Sequence, residues 1–130
     1  MIGSSNVKYL LMIYENAEVW GKLSEQERDA VNSEGGRLWQ ELVASGEVIM
    51  GEPLADPKDS RIVRIQNGER VVTDGPFAES KEQFVGFLMI DVASEARAIE
   101  IAASWPNARY SPLEVRLIRV FNATQSPDPV

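Results

Sequence analysis

Val7-Lys8-Tyr9-Leu10-Leu11-Met12-Ile13-Tyr14 is the stretch on which the fold turns. Its aliphatic and aromatic content is that of a strand. At the two-residue period of a strand, Val7, Tyr9, Leu11 and Ile13 fall on one face and Leu10, Met12 and Tyr14 on the other, so both faces are apolar. The same holds for Phe84-Val85 and for Phe87-Leu88-Met89-Ile90. A sheet built from such strands needs cover on both sides.

Outward from this strand the period changes in a readable order. Ser24-Glu25-Gln26-Glu27 has capping-box spacing and predicts a helix running to about Ser45-Gly46, with Val31, Leu38, Trp39, Leu42 and Val43 at helical spacing and Gly35-Gly36 as its weak middle. Val48 to Met50 reads as a short strand, and Gly51 to Pro57 as turn and loop. Arg61 to Ile65 and Arg70 to Thr73 flank Asn67-Gly68, a strong hairpin signal. Phe84 to Val92 is a further strand, Ser94 caps a helix that carries Ala98, Ile99, Ile101 and Ala102, Trp105-Pro106 ends it, and Leu113 to Val120 closes the domain as a strand. The order β-α-β, hairpin, β-α-β predicts an α+β domain of the split βαβ or ferredoxin-like plan, with the hairpin inserted at its middle. It spans residues 7–121, between irregular polar tails at 1–6 and 122–130.

Two helices cover one face of a four-stranded sheet. Cover for the other face comes either from a second copy of the same sheet, giving a two-fold homodimer of barrel type, or from the hairpin and the C-terminal tail; the size of the apolar face favours the dimer.

Composition narrows the chemistry. The chain has 130 residues, enough for one domain, and carries 13 basic against 20 acidic residues for a net charge of −7, which disfavours nucleic acid and anionic membranes as partners. It contains no Cys and no His, so disulfides, thiolate metal sites, thiol nucleophiles and Ser-His arrangements are excluded, and acid/base work falls to Asp, Glu, Lys or Tyr. The Tyr9 to Tyr14 run is too short for a signal-peptide core or a membrane span, and a cytoplasmic protein is expected. Phosphate-loop, dinucleotide, nucleophile-elbow and zincin motifs are absent; no cofactor and no metal site are indicated.

Several residues are candidates for a site. Asp74, in Asp74-Gly75-Pro76-Phe77, has two readings: a turn carboxylate that accepts backbone amides, or a general base delivered to the mouth of the sheet. Glu15 after one strand end and Glu52 in a loop after another either converge as a carboxylate pair or stand solvated. Tyr14 joins Glu15 as a candidate ligand contact. Arg116 on the last strand, alternating with Glu114, either receives a carboxylate substrate or pairs with Glu114's neighbours across the sheet. Arg109-Tyr110 either rims a pocket or is ordinary surface. Trp20, Trp39 and Trp105 read as core or rim anchors, and Glu79, Lys81 and Glu82 as a solvated turn.

The opening Lys8 to Glu15, the turn Gly51 to Leu54, the block Val72-Thr73-Asp74-Gly75-Pro76-Phe77-Ala78-Glu79-Ser80-Lys81-Glu82-Gln83, then Gly86, Asp91, Ala108-Arg109-Tyr110 and Glu114-Val115-Arg116 together resemble the YCII-related, DGPF-type family over residues 7–121. The resemblance implies the dimeric α/β-barrel form of the ferredoxin-like fold, a bacterial cytoplasmic setting and, in many genomes, a neighbourhood shared with extracytoplasmic-function sigma factors. It also implies small-molecule acid/base chemistry by analogy with related barrels. Some relatives present a His with an Asp in the pocket, and this chain has no His to supply. Two function classes follow: a small-molecule enzyme or binder using Asp74, Glu15, Glu52, Tyr14 and Arg116, or a non-catalytic regulatory protein acting with a sigma factor.

Overall fold

A computed structural model of the chain describes residues 6–77 and 80–119; most of both expected tails, Glu79 and the end of the last strand at Val120 lie outside the described residues. The first strand, β1 (Val7–Asn16), continues two residues past Tyr14, because Glu15 and Asn16 still pair with Gln83 and Glu82. Glu15 therefore lies within the ladder, not beyond it. The Asn16 carboxamide then accepts hydrogen bonds from the amides of Glu18 and Val19 and starts a short helix, α1 (Ala17–Lys22), that hydrophobic periodicity does not announce.

In α2 (Glu25–Ser45) the Ser24 hydroxyl accepts from the Glu27 amide at 3.0 Å and the Glu27 carboxylate accepts from the Ser24 amide at 2.8 Å, the reciprocal capping read from the sequence. Gly46, at φ 77°, ends the helix in the left-handed conformation. The two mid-helix glycines do different things. Gly35 is buried, and a Cβ there would lie 3.7 Å from both Trp105 and Pro106, whereas Gly36 faces open space.

The second strand, β2 (Val48–Pro53), is longer than the expected Val48 to Met50, and Glu52 pairs with Phe87 inside it instead of sitting in a loop. A 3₁₀ turn over Pro57–Asp59 leads to β3 (Arg61–Gln66) and β4 (Glu69–Asp74), which pair antiparallel as a separate two-stranded sheet with Asn67 and Gly68 both at positive φ in the turn. The chain continues through β5 (Glu82–Val92), α3 (Glu95–Ser104) capped by Ser94, a 3₁₀ turn over Pro106–Arg109, and β6 (Leu113–Leu117).

The main sheet is antiparallel, in the order β2-β5-β1-β6. With the β3–β4 pair set aside, this order is compatible with the ferredoxin-like plan, and the domain is α+β. Tyr9, Leu11, Leu88, Ile90 and Val92 pack from the sheet against Leu42 of α2 and Ala98, Ile101 and Ala102 of α3. A bidentate pair from the Arg97 guanidinium to the Glu47 carboxylate, both contacts at 2.8 Å, ties α3 to the entry of β2 and holds the Glu47 carboxyl below its ordinary range. Leu10, Met12, Phe87 and Met89 alternate with the core positions and form the face turned away from the helices, half-buried by one another. Among the described residues no helix is long and apolar enough to cross a membrane.

Candidate functional site

A cavity of about 680 Å³ lies between the main sheet and the helical layer. Ile13 and Glu15 of β1, Trp20 of α1, Trp39 of α2, the β2 segment from Gly51 to Pro53 and Trp105 after α3 supply its walls, with Asn32 and Asn107 adding neutral polar groups. Every tryptophan of the chain is here, none of them fully buried. Close approaches hold the wall: a Cβ on Gly51 would lie 2.8 Å from the Phe87 carbonyl oxygen and 3.1 Å from the Trp39 ring. Arg109 does not line the cavity, yet its ion pair with Glu34 at 2.9 Å clamps the turn that carries Asn107 onto α2.

Glu15 is set into this wall by the regular alternation of β1, which keeps it on the same side as Leu11 and Ile13, while a bulge in β5 at Val85 lets Phe84 face Tyr14. Burial pushes the Glu15 carboxyl above its ordinary value. Glu52 and Asp56 reach the same cavity. Two of the expected site residues, Glu15 and Glu52, are thus brought together.

Tyr14 and Arg116 meet each other on the opposite side of the sheet. The Tyr14 hydroxyl donates to Glu114 Oε1 at 3.0 Å, and the Arg116 guanidinium pairs with the other oxygen of Glu114. Burial first, and the Glu114 carboxylate second, raise the Tyr14 pKa, while Arg116 and then Tyr14 hold Glu114 low. Arg116 therefore pairs along its own strand, with Glu114 two residues away, and not with a neighbour of Glu114 across the sheet.

Asp74 stands apart from both groups. Its side chain is 87% exposed, faces Arg61 Nη1 at 3.7 Å, and is not among the residues lining the tryptophan-walled cavity. Its neighbours fix the corner instead: the Gly75 amide donates to the Ser60 carbonyl at 2.9 Å, and a Cβ on Gly75 would meet the Ser60 hydroxyl. A second cavity, of about 610 Å³, lies beside this corner, lined by Tyr14, Phe84, Ile62, Pro76 and Phe77, and shares the segment Leu54 to Pro57 with the first as a common wall.

The tryptophan cluster and Asp56 were not legible as a site. Positions 20, 39 and 105 share no local pattern, and only the folded packing of α1, α2 and the turn after α3 assembles them. The fold is thus a layered α+β domain with a carboxylate-bearing cavity between sheet and helices. The chain belongs to the YCII-related family, whose domain model matches residues 7–122. It is similar to a protein of Rhizobium meliloti (strain 1021) described as uncharacterized, at 31% identity over 121 residues, covering 92% of this chain and 98% of that protein.

Proposed function

We propose that the protein binds, and by carboxylate acid/base chemistry transforms, a small polar organic molecule in the tryptophan-walled cavity. The carrying observation is that Glu15, a carboxyl desolvated by burial, shares the wall of one cavity with all three tryptophans. A carboxyl whose pKa is raised by burial exchanges protons closer to neutrality than an exposed one, which suits it to donate to or accept from a bound molecule. Glu15 is preferred over Asp74 for this role because Asp74 lies in solvent beside Arg61. Glu52, with Asn32 and Asn107, would orient the ligand.

The unit of function in this reading is a homodimer joined through the face that bears Leu10, Met12, Phe87 and Met89, to which the exposed Met50 adds. Sedimentation is expected to give a dimer at micromolar concentration, and a stable monomer would contradict it.

The test of the cavity is a thermal-shift and tryptophan-emission screen against small organic metabolites. A hit is expected to raise the melting temperature, to change indole emission, and to weaken in Glu15→Gln. Failure of every compound to move either signal, together with a stable complex with an extracytoplasmic-function sigma factor, would favour the regulatory reading instead.

A further inference from the structure

We infer that the ligand of the tryptophan-walled cavity is an organic cation, a protonated amine or quaternary ammonium, seated against Trp20, Trp39 and Trp105 and faced by the carboxylates of Glu15, Glu52 and Asp56. The inference rests on the reading that this cavity is the ligand site.

Charge carries the first step. Three carboxylates line the cavity, and among the described residues no Lys or Arg does. An anionic ligand would face these three carboxylates with no cationic side chain among the described lining residues to receive its charge. The guanidinium best placed in sequence to receive an anion, that of Arg116, is on the far side of the sheet and held by Glu114. The field of the whole chain, at −7, also draws cations inward.

The aromatic content carries the second step. Indole is the strongest of the side-chain rings as a partner for a cation, and the contact strengthens when it is desolvated. Trp20, Trp39 and Trp105 come from three separate elements, are half-buried, and all line the cavity.

Geometry separates an organic cation from a metal ion. Among the described residues no group of three or more carboxylates is gathered closely enough to hold a metal, so the negative charge is spread around the space. Spread charge over apolar walls suits a cation whose charge is shared by alkyl groups. The volume, about 680 Å³, is within the range of sites for small organic ligands.

The experiment titrates the full chain with three probes of similar size, benzyltrimethylammonium, benzyl alcohol and benzoate, read by tryptophan emission and calorimetry. The cation is expected to bind at least about tenfold more tightly than the alcohol, and benzoate more weakly still. Glu15→Gln with Glu52→Gln should erase that preference while the melting transition persists, and Glu114→Gln, on the opposite face, should leave it intact. Equal or tighter binding of the alcohol or of benzoate would overturn the cation assignment while leaving the cavity as the ligand site. Silence of all three probes would overturn both. A cation preference that survives the double substitution would overturn the placement of the ligand among these carboxylates.

Discussion

Asp74 and Glu15 are both carboxylates near the end of a strand, and the fold treats them in opposite ways. Asp74 closes β4 in the most distinctive run of the sequence, yet its side chain is 87% exposed beside Arg61. Glu15 sits near the end of β1 with no turn motif beside it, yet is desolvated in a wall shared with three tryptophans. The difference teaches that a prominent motif marks where the backbone is constrained, whereas proton chemistry follows the surroundings of the carboxyl. Burial, a nearby charge or a fixed hydrogen-bond partner is what changes the proton chemistry of a carboxyl.

The contrast is sharpened first by adding one methyl group in each region. Gly51→Ala drives a Cβ to 2.8 Å from a carbonyl oxygen of β5 that cannot move without breaking the ladder. A loss of about 2 kcal/mol is expected, visible as a drop in Tm of about 6–10 °C. Gly75→Ala meets the Ser60 side chain, which can rotate once its hydrogen bond to the Pro57 carbonyl is given up, so a smaller loss of about 1 kcal/mol is expected. Ser60→Gly in the Gly75→Ala background should recover part of it. A Gly51→Ala protein as stable as the parent would show that the cavity wall is not closely packed.

Removing charge gives the next largest effect, and its sign distinguishes the regions. Burial raises the folded-state pKa of Glu15, so the native state holds this proton more tightly than the unfolded chain. Its contribution to stability is complete below the ordinary glutamate pKa and is lost as pH rises through the raised folded value. Glu15→Gln removes an ionised carboxyl from a place where ionisation is disfavoured, with Glu52 and Asp56 as the other carboxylates of the same wall. At neutral pH Tm should rise by about 1–3 °C, the gain vanishing toward about pH 4, while ligand response falls. A fall in Tm at neutral pH would mean that the ionised form is stabilised in the fold.

Asp74→Asn is expected to do least, changing stability by less than about 0.5 kcal/mol, since only a solvent-exposed contact to Arg61 is altered. Ligand response should be unchanged in the same protein. Its loss would return the catalytic assignment to Asp74 and break the comparison.

The order of elements was legible because local physics and the final packing agree. The capping box at Ser24, the alternation in β1 and β5 and the Asn67-Gly68 turn all act within a few residues. Strand ends were less legible. Glu15 and Glu52 are polar, and periodicity stops at them, but β5 is long enough to pair with both through Gln83 and Phe87. The helix after Asn16 leaves no periodic signal in the sequence because six residues hold too little pattern once a cap starts them. In the site, Glu15 and Glu52 could be named from their positions beside strand ends. Their tryptophan surroundings could not, since positions 20, 39 and 105 become neighbours only when α1, α2 and the turn after α3 close on the sheet.

The most direct measurement is a pH titration of the side-chain carboxyl carbons by NMR, run with and without benzyltrimethylammonium on the full chain. The expected result is a Glu15 resonance that titrates above the ordinary glutamate value and shifts when the cation is added, while Asp74 does not respond to it. Glu15 titrating at or below the ordinary value, with the cation perturbing Asp74 instead, would contradict the assignment of the site to the tryptophan-walled cavity.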